Sequence, residues 1–168
     1  MYTNPTSAQS VRYVRDALKK TIAPELQSDQ AKVLIAMIDT TLASVEKRVE
    51  VEQQYMAEEC GRMRDLLEAA SGRLAGNGSA SAEELRANLA ALPPVRFAPI
   101  PAFTELNAAY AETSRLFTAS LGSLHALAAE GEEAAPALIG DARAYIALRL
   151  QRDMSYVYAM EGGLIGKG

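Results

Sequence analysis

From Ser28 to Ala75 apolar residues recur at alternating steps of three and four, with no proline in the stretch and no glycine before Gly61. Ala31, Ile35, Ile38, Leu42, Val45 and Val49, then Met56, Cys60, Met63, Leu67, Ala70 and Leu74, form a stripe with a period of about 3.6 residues. That spacing predicts one very long helix. The step from Val49 to Met56 passes over Glu52, a carboxylate where the register expects an apolar side chain. Lys47, Arg48, Glu50, Glu58, Glu59, Arg62, Arg64 and Glu68 lie off the stripe and read as a solvated face, with Glu58 four residues before Arg62 in the favourable order. An unbroken helix of this length spans on the order of 70 Å, longer than a compact domain of this size. Either a kink near Cys60-Gly61 folds it back, or a second copy covers the exposed seam. In the second case Val45, Val49, Met56, Cys60 and Met63 are the self-association residues.

The rest of the chain reads as shorter helices around this rod. A polar arm, residues 1–7, leads into a first helix capped by Thr6 or Ser7, carrying Val11, Val14, Leu18 and Ile22 and ending before Pro24. With Ser28 or Asp29 capping the long helix, residues 8–75 form a helical hairpin. Gly76-Asn77-Gly78-Ser79-Ala80 is a flexible loop, and Ser81 with Glu84 has capping-box spacing for a short helix ending near Leu92. Residues 93–101 hold four prolines, and their Val95, Phe97 and Ile100 predict an extended strap packed across helices. A long helix follows from Phe103 to Ala129, stopped at Gly131. Another opens at Glu132, Glu133 and Pro136 and runs to Gly162, before a frayed tail, residues 163–168. The expected fold is all-α: a single domain over residues 1–168, an antiparallel bundle of about five helices with a four-helix core, one very long helix and a proline-rich strap.

Composition narrows the function. The 168 residues carry 17 Lys and Arg against 21 Asp and Glu, a net charge of −4, the wrong sign for holding nucleic acid or an anionic membrane surface. A single cysteine excludes an internal disulfide and fits a reducing cytoplasm, and no apolar run is long enough to span a membrane. A cytoplasmic protein is expected.

Recognisable catalytic chemistry is missing. A ferritin-type dimetal site needs two Glu-x-x-His pairs, but the one histidine, His125, has Gly122 three residues before it. His125 is expected to be a partly buried polar side chain beside Leu121 and Leu124, with proton transfer as the functional alternative. Cys60, on the apolar stripe, reads as a small hydrophobe. The tail Gly162 to Gly168 lacks the first glycine, the hydroxyl residue and the following helix of a phosphate-binding loop. Arg149, Arg152 and Tyr156 share one face of the last helix, and with Arg12 and Tyr13 they are candidates to line a pocket for an anionic ligand. The alternative pairs these arginines with Glu46, Glu50 or Asp153. No catalytic residue, metal ligand or cofactor is assigned.

The opening hairpin, Val11-Arg12-Tyr13-Val14-Arg15-Asp16-Ala17-Leu18, then Ile22-Ala23-Pro24-Glu25-Leu26, then Ala31 to Glu52, resembles a small bacterial family of helical proteins found beside aminoglycoside-phosphotransferase-like kinases and acyl-CoA dehydrogenases. The resemblance covers roughly the first fifty residues. It departs at the polar turn Gln27-Ser28-Asp29-Gln30 and at Asp39-Thr40-Thr41, where small apolar and asparagine residues would stand. It implies an accessory partner of such an enzyme. The function expected is therefore a non-catalytic, homodimeric interaction module, with a small-molecule binding or sensing bundle as the alternative.

Overall fold

A computed structural model of the protein describes residues 5–94 and 102–158. Among them every regular element is helical: α1 Ser7–Ala17, α2 Asp29–Arg48, α3 Glu52–Arg73, α4 Ala80–Ala90, α5 Phe103–Ala129 and α6 Ala135–Tyr158. The all-α reading holds. Backbone contacts divide the chain into two compact units, a hairpin unit of Met1–Glu52 with Leu150–Gly168, and a core unit of Gln53–Arg149. The strap, with Val95, Phe97 and Ile100, and the tail fall outside the described residues.

The long rod is two helices. Its ladder stops at Val49–Val51, where the Val51 amide turns back to the Arg48 carbonyl at 3.0 Å, a three-residue step in place of four. Two β-branched residues flanking Glu50 make this a poor place to continue a helix. Glu52, the carboxylate that interrupted the stripe, starts α3, and the Arg48 guanidinium lies 3.7 Å away. At Cys60-Gly61, where a kink was one of the two alternatives, α3 continues unbroken.

In the hairpin unit Thr6 caps α1 through a capping box with Gln9. The helix continues past Ala17 as a π turn, Leu18–Ile22, and a 3-10 turn, Ala23–Glu25, in which Pro24 occupies an early position where its missing N–H leaves no gap. Ser28 caps α2 by accepting from the Ala31 amide.

The core unit buries two adjoining clusters. Ala70 of α3 and Leu74 just beyond it meet Ala82 and Leu85 of α4, Leu124 and Leu127 of α5 and Leu138 and Ile139 of α6. Beside them Met63 and Leu67 pack with Leu92, Leu116, Phe117, Ala142 and Tyr145. Ser79 caps α4, two residues before the predicted Ser81, by accepting from the Ala82 amide. Ser81 instead donates to Glu130, and Glu84 accepts from Ser123. The C-terminus of α5 closes at Gly131, whose φ of 88° is the left-handed conformation glycine adopts freely. Its amide returns to Ala128 at 3.2 Å and that of Glu132 to Leu127 at 3.0 Å, a Schellman closure.

Candidate functional site

The hairpin unit joins its helices by charge. Arg12, Arg15 and Lys19 sit at steps of three and four on α1 and its π turn, and Asp39 and Glu46 stand two turns apart on α2. Arg12 Nε donates to Glu46 at 2.7 Å, Arg15 reaches Asp39 at 2.8 Å and Glu46 at 2.6 Å, and Lys19 reaches Asp39 at 2.8 Å. The guanidinium groups of Arg15 and Arg12 hold Glu46 below the usual carboxylate range. Partial burial pushes the Asp39 carboxyl up, but Arg15 and Lys19 together outweigh it and the net direction is down.

With these carboxylates turned toward α1, the opposite side of α2 is left with apolar side chains. At 3.6 residues per turn Met37 lies about half a turn round from Asp39 and Glu46, with Val33 and Leu34 beside it. Val33, Leu34 and Met37 are 60%, 57% and 58% exposed, and Ile38 and Val45 are exposed at the edge of the same face. The Thr41 hydroxyl bonds back to the Met37 carbonyl at 3.1 Å, so its polar atom is already satisfied within the helix. No residue of α2 is buried, and among the described residues of the hairpin unit only Ala8 is. On α1 Tyr13 and Val14 are exposed as well.

The self-association residues expected from the stripe divide between the units. Val45 is exposed and Val49 half-buried in the hairpin unit. In the core unit Met56 is half-buried, whereas Cys60 and Met63 are buried, Met63 completely, among the chain's own helices. That half of the seam is already covered, and Cys60 and Met63 have no surface to offer a second copy. Burial pushes the Cys60 thiol up, with Thr113 pulling more weakly the other way.

The arginine group is divided too. Arg12, Tyr13 and Arg152 belong to the hairpin unit and Arg149 to the core unit, and the side chain of Tyr156 lies outside the described part. Arg12 pairs with Glu46, and Arg152 lies 3.7 Å from Asp153. Arg149 turns into a buried polar cluster: its guanidinium lies 3.8 Å from Glu59, donates to the Tyr110 hydroxyl and sits 5.3 Å above that ring. The Tyr145 hydroxyl also donates to Glu59, and its ring meets Phe117 edge-on. Burial, then the hydrogen bond to Glu59, drives the Tyr145 pKa up. Glu59, assigned to a solvated face by its place off the stripe, is 1% exposed. It can be buried because an arginine and a tyrosine on α6 supply its partners.

His125 is exposed, contrary to the expected half-burial, because the register of α5 turns Leu124 and Leu127 inward and His125 out. Among the described residues no group of three or more His, Cys, Asp or Glu is placed to hold a metal ion. No helix among them is long and apolar enough to cross a membrane. A shallow cleft of about 290 Å³ lies between the π turn and α2, lined by Lys19, Lys32, Ile35, Ala36 and Asp39.

The exposed face of α2 had a signal in the sequence: Val33, Leu34, Ile35, Met37 and Ile38 stand within six residues, too many for one stripe. The charge ladder had one as well, a three-and-four basic stripe matched to acidic residues seven apart. Compared with known proteins, the chain matches no family model, no curated protein and no solved structure.

Proposed function

We propose that the chain is a non-catalytic helical accessory module, an antiparallel bundle whose α1–α2 hairpin self-associates through the outward face of α2. One observation carries this reading. A helix normally buries its apolar face, yet α2 carries apolar side chains on both sides and buries none of them. Full burial of a side chain such as Leu34 or Met37 stabilises by about 1.5–3 kcal/mol, and a second copy brings the same set. The proposed surface keeps Val45 from the predicted set of Val45, Val49, Met56, Cys60 and Met63, and otherwise moves to Val33, Leu34, Met37 and Ile38. The family likeness of the opening hairpin adds an enzyme partner of phosphotransferase-like or acyl-CoA-using type, in the cytoplasm.

Light scattering at micromolar concentration tests the reading. The wild type is expected at twice the 18.0 kDa chain mass, and Leu34→Glu and Met37→Glu at the single-chain mass with unchanged helicity. A wild type that stays monomeric overturns it.

The cleft beside the π turn favours a second reading, an anionic-ligand site, since Lys19 and Lys32 stand over the apolar floor of Ile35 and Ala36. Both lysines are paired, with Asp39 at 2.8 Å and Asp29 at 3.4 Å, so a ligand carboxylate has to displace them. A rise in melting temperature with organic acids, absent in Lys19→Ala, is its expected signature.

A further inference from the structure

We infer that two copies of the hairpin pair antiparallel along α2, about a two-fold axis crossing the helix near Asp39; this rests on the self-association reading above. The side of α2 turned from α1 carries Gln30, Leu34, Met37, Thr41, Ser44 and Arg48 at steps of four, three, four, three and four, all of them exposed except the half-buried Ser44. That is the seam spacing of a helical pair, and it is the same read from either end. An antiparallel copy therefore sets Leu34 beside the partner's Ser44, Met37 beside the partner's Thr41 and Gln30 beside the partner's Arg48. The exposed Val33 and Val45 flank the seam on its two sides. Ser44 is small enough to accommodate the larger Leu34, and a serine inside a helix can turn its hydroxyl back to the carbonyl one turn before it. Thr41 brings a methyl group while its hydroxyl is held by the Met37 carbonyl.

Charge selects this orientation and selects a second copy as the occupant. The first turn of α2 carries Asp29 and its last turn Lys47 and Arg48. Antiparallel pairing brings Asp29 beside the partner's Lys47 and Arg48 at both ends and opposes the two helix dipoles favourably. Parallel pairing stacks Lys47 and Arg48 on their own copies. The positions where a partner would collide with charge, Asp39 and Glu46, are turned toward α1 and neutralised there by Arg12, Arg15 and Lys19. The ladder thus leaves the seam free of carboxylates between Gln30 and Arg48.

Cysteine cross-linking reads the arrangement directly. Leu34 and Ser44 each lie five residues from the axis, so two copies of either position are about 15 Å apart along the pair, beyond disulfide reach. The same distance keeps the two positions of one chain from bridging each other. In the full-length protein under mild oxidation, Leu34→Cys alone and Ser44→Cys alone are expected to run as single chains on a non-reducing gel. The double variant Leu34→Cys/Ser44→Cys is expected to run as a covalent dimer. Wild type is the control for Cys60, which is buried. A covalent dimer from Leu34→Cys alone means parallel pairing and overturns the inference. So does a double variant that forms no cross-link while the wild type scatters as a dimer, a result that leaves self-association standing. A wild type that scatters as a monomer overturns both.

Discussion

The hairpin unit and the core unit draw on helices of similar length, yet they resolve opposite problems. In the core unit α3, α4, α5 and α6 turn their apolar faces inward on each other and bury Met63, Leu67, Leu85 and Leu127 to 1% exposure or less. The polar groups inside that core, Glu59, Thr113, Ser120 and Ser123, are few, and Glu59 is held by Tyr145 and Arg149. In the hairpin unit the charge ladder lies between the helices beside the half-buried Ile35 and Leu42, and Val33, Leu34 and Met37 lie outside. Ion pairs that water reaches contribute little to stability, whereas truncating one buried leucine costs about 2–5 kcal/mol. The difference is that the hairpin unit leaves apolar side chains exposed, and these are the surface that the proposed pairing would cover.

Core truncation breaks the comparison hardest. Leu67→Ala or Met63→Ala is expected to cost about 2–5 kcal/mol in urea unfolding, whereas Met37→Ala, at an exposed site, is expected to change the stability of the separated chain by under about 0.5 kcal/mol. Next comes Glu59→Ala, which removes the partner of Arg149 and Tyr145. Breaking a buried ion pair costs about 3–5 kcal/mol, and the partial exposure of Arg149 lowers the expectation here to about 2–4 kcal/mol, read from the same unfolding curves. Tyr145→Phe is expected to cost less, about 1–2 kcal/mol, by taking one hydrogen bond from a buried carboxylate.

Acid acts on the hairpin more gently than these truncations act on the core. Asp39 and Glu46 have folded pKa values below their ordinary ones. The stability they contribute is therefore complete above the ordinary carboxylate pKa of about 4 and is lost as pH falls through the lowered values. Hydrogen exchange is expected to show α1 and α2 amides losing protection below about pH 4 while the buried apolar clusters of the core unit keep theirs. Smallest is the effect of salt: about 1 M salt, with a screening length near 3 Å, is expected to weaken the Arg12–Glu46 and Lys19–Asp39 pairs between α1 and α2 and leave the buried apolar clusters of the core unit unchanged.

Helix ends were legible wherever a residue has one strong backbone role. Phe103–Ala129 followed from the stripe and from Gly131, and each of the first two caps was narrowed to a pair, Thr6 or Ser7 and Ser28 or Asp29, of which the first member caps in each case. The break at Val49–Val51 was not, because no glycine or proline marks it and the apolar period runs on through Val49. Its cause is the weak preference of a β-branched pair, a few tenths of a kcal/mol per residue, decided by the surrounding fold. Glu59 was illegible for a related reason: next to Glu58 and near Arg62 it reads as one more surface charge. Its partners Tyr145 and Arg149 lie about ninety residues away, brought within reach by the packing of α6. On α2 the stripe through Ile35 and Leu42 described the face toward α1 and drew attention from the richer one behind it.

The central claim is that α2 is unfinished in a lone chain. Hydrogen exchange measured at two protein concentrations, one well above and one well below the dissociation midpoint, addresses that directly. Amides of Asp29–Arg48 are expected to gain protection as concentration rises while those of the core unit stay constant, since association adds stability only where the second copy sits. Protection of α2 that is the same at every concentration would contradict the claim.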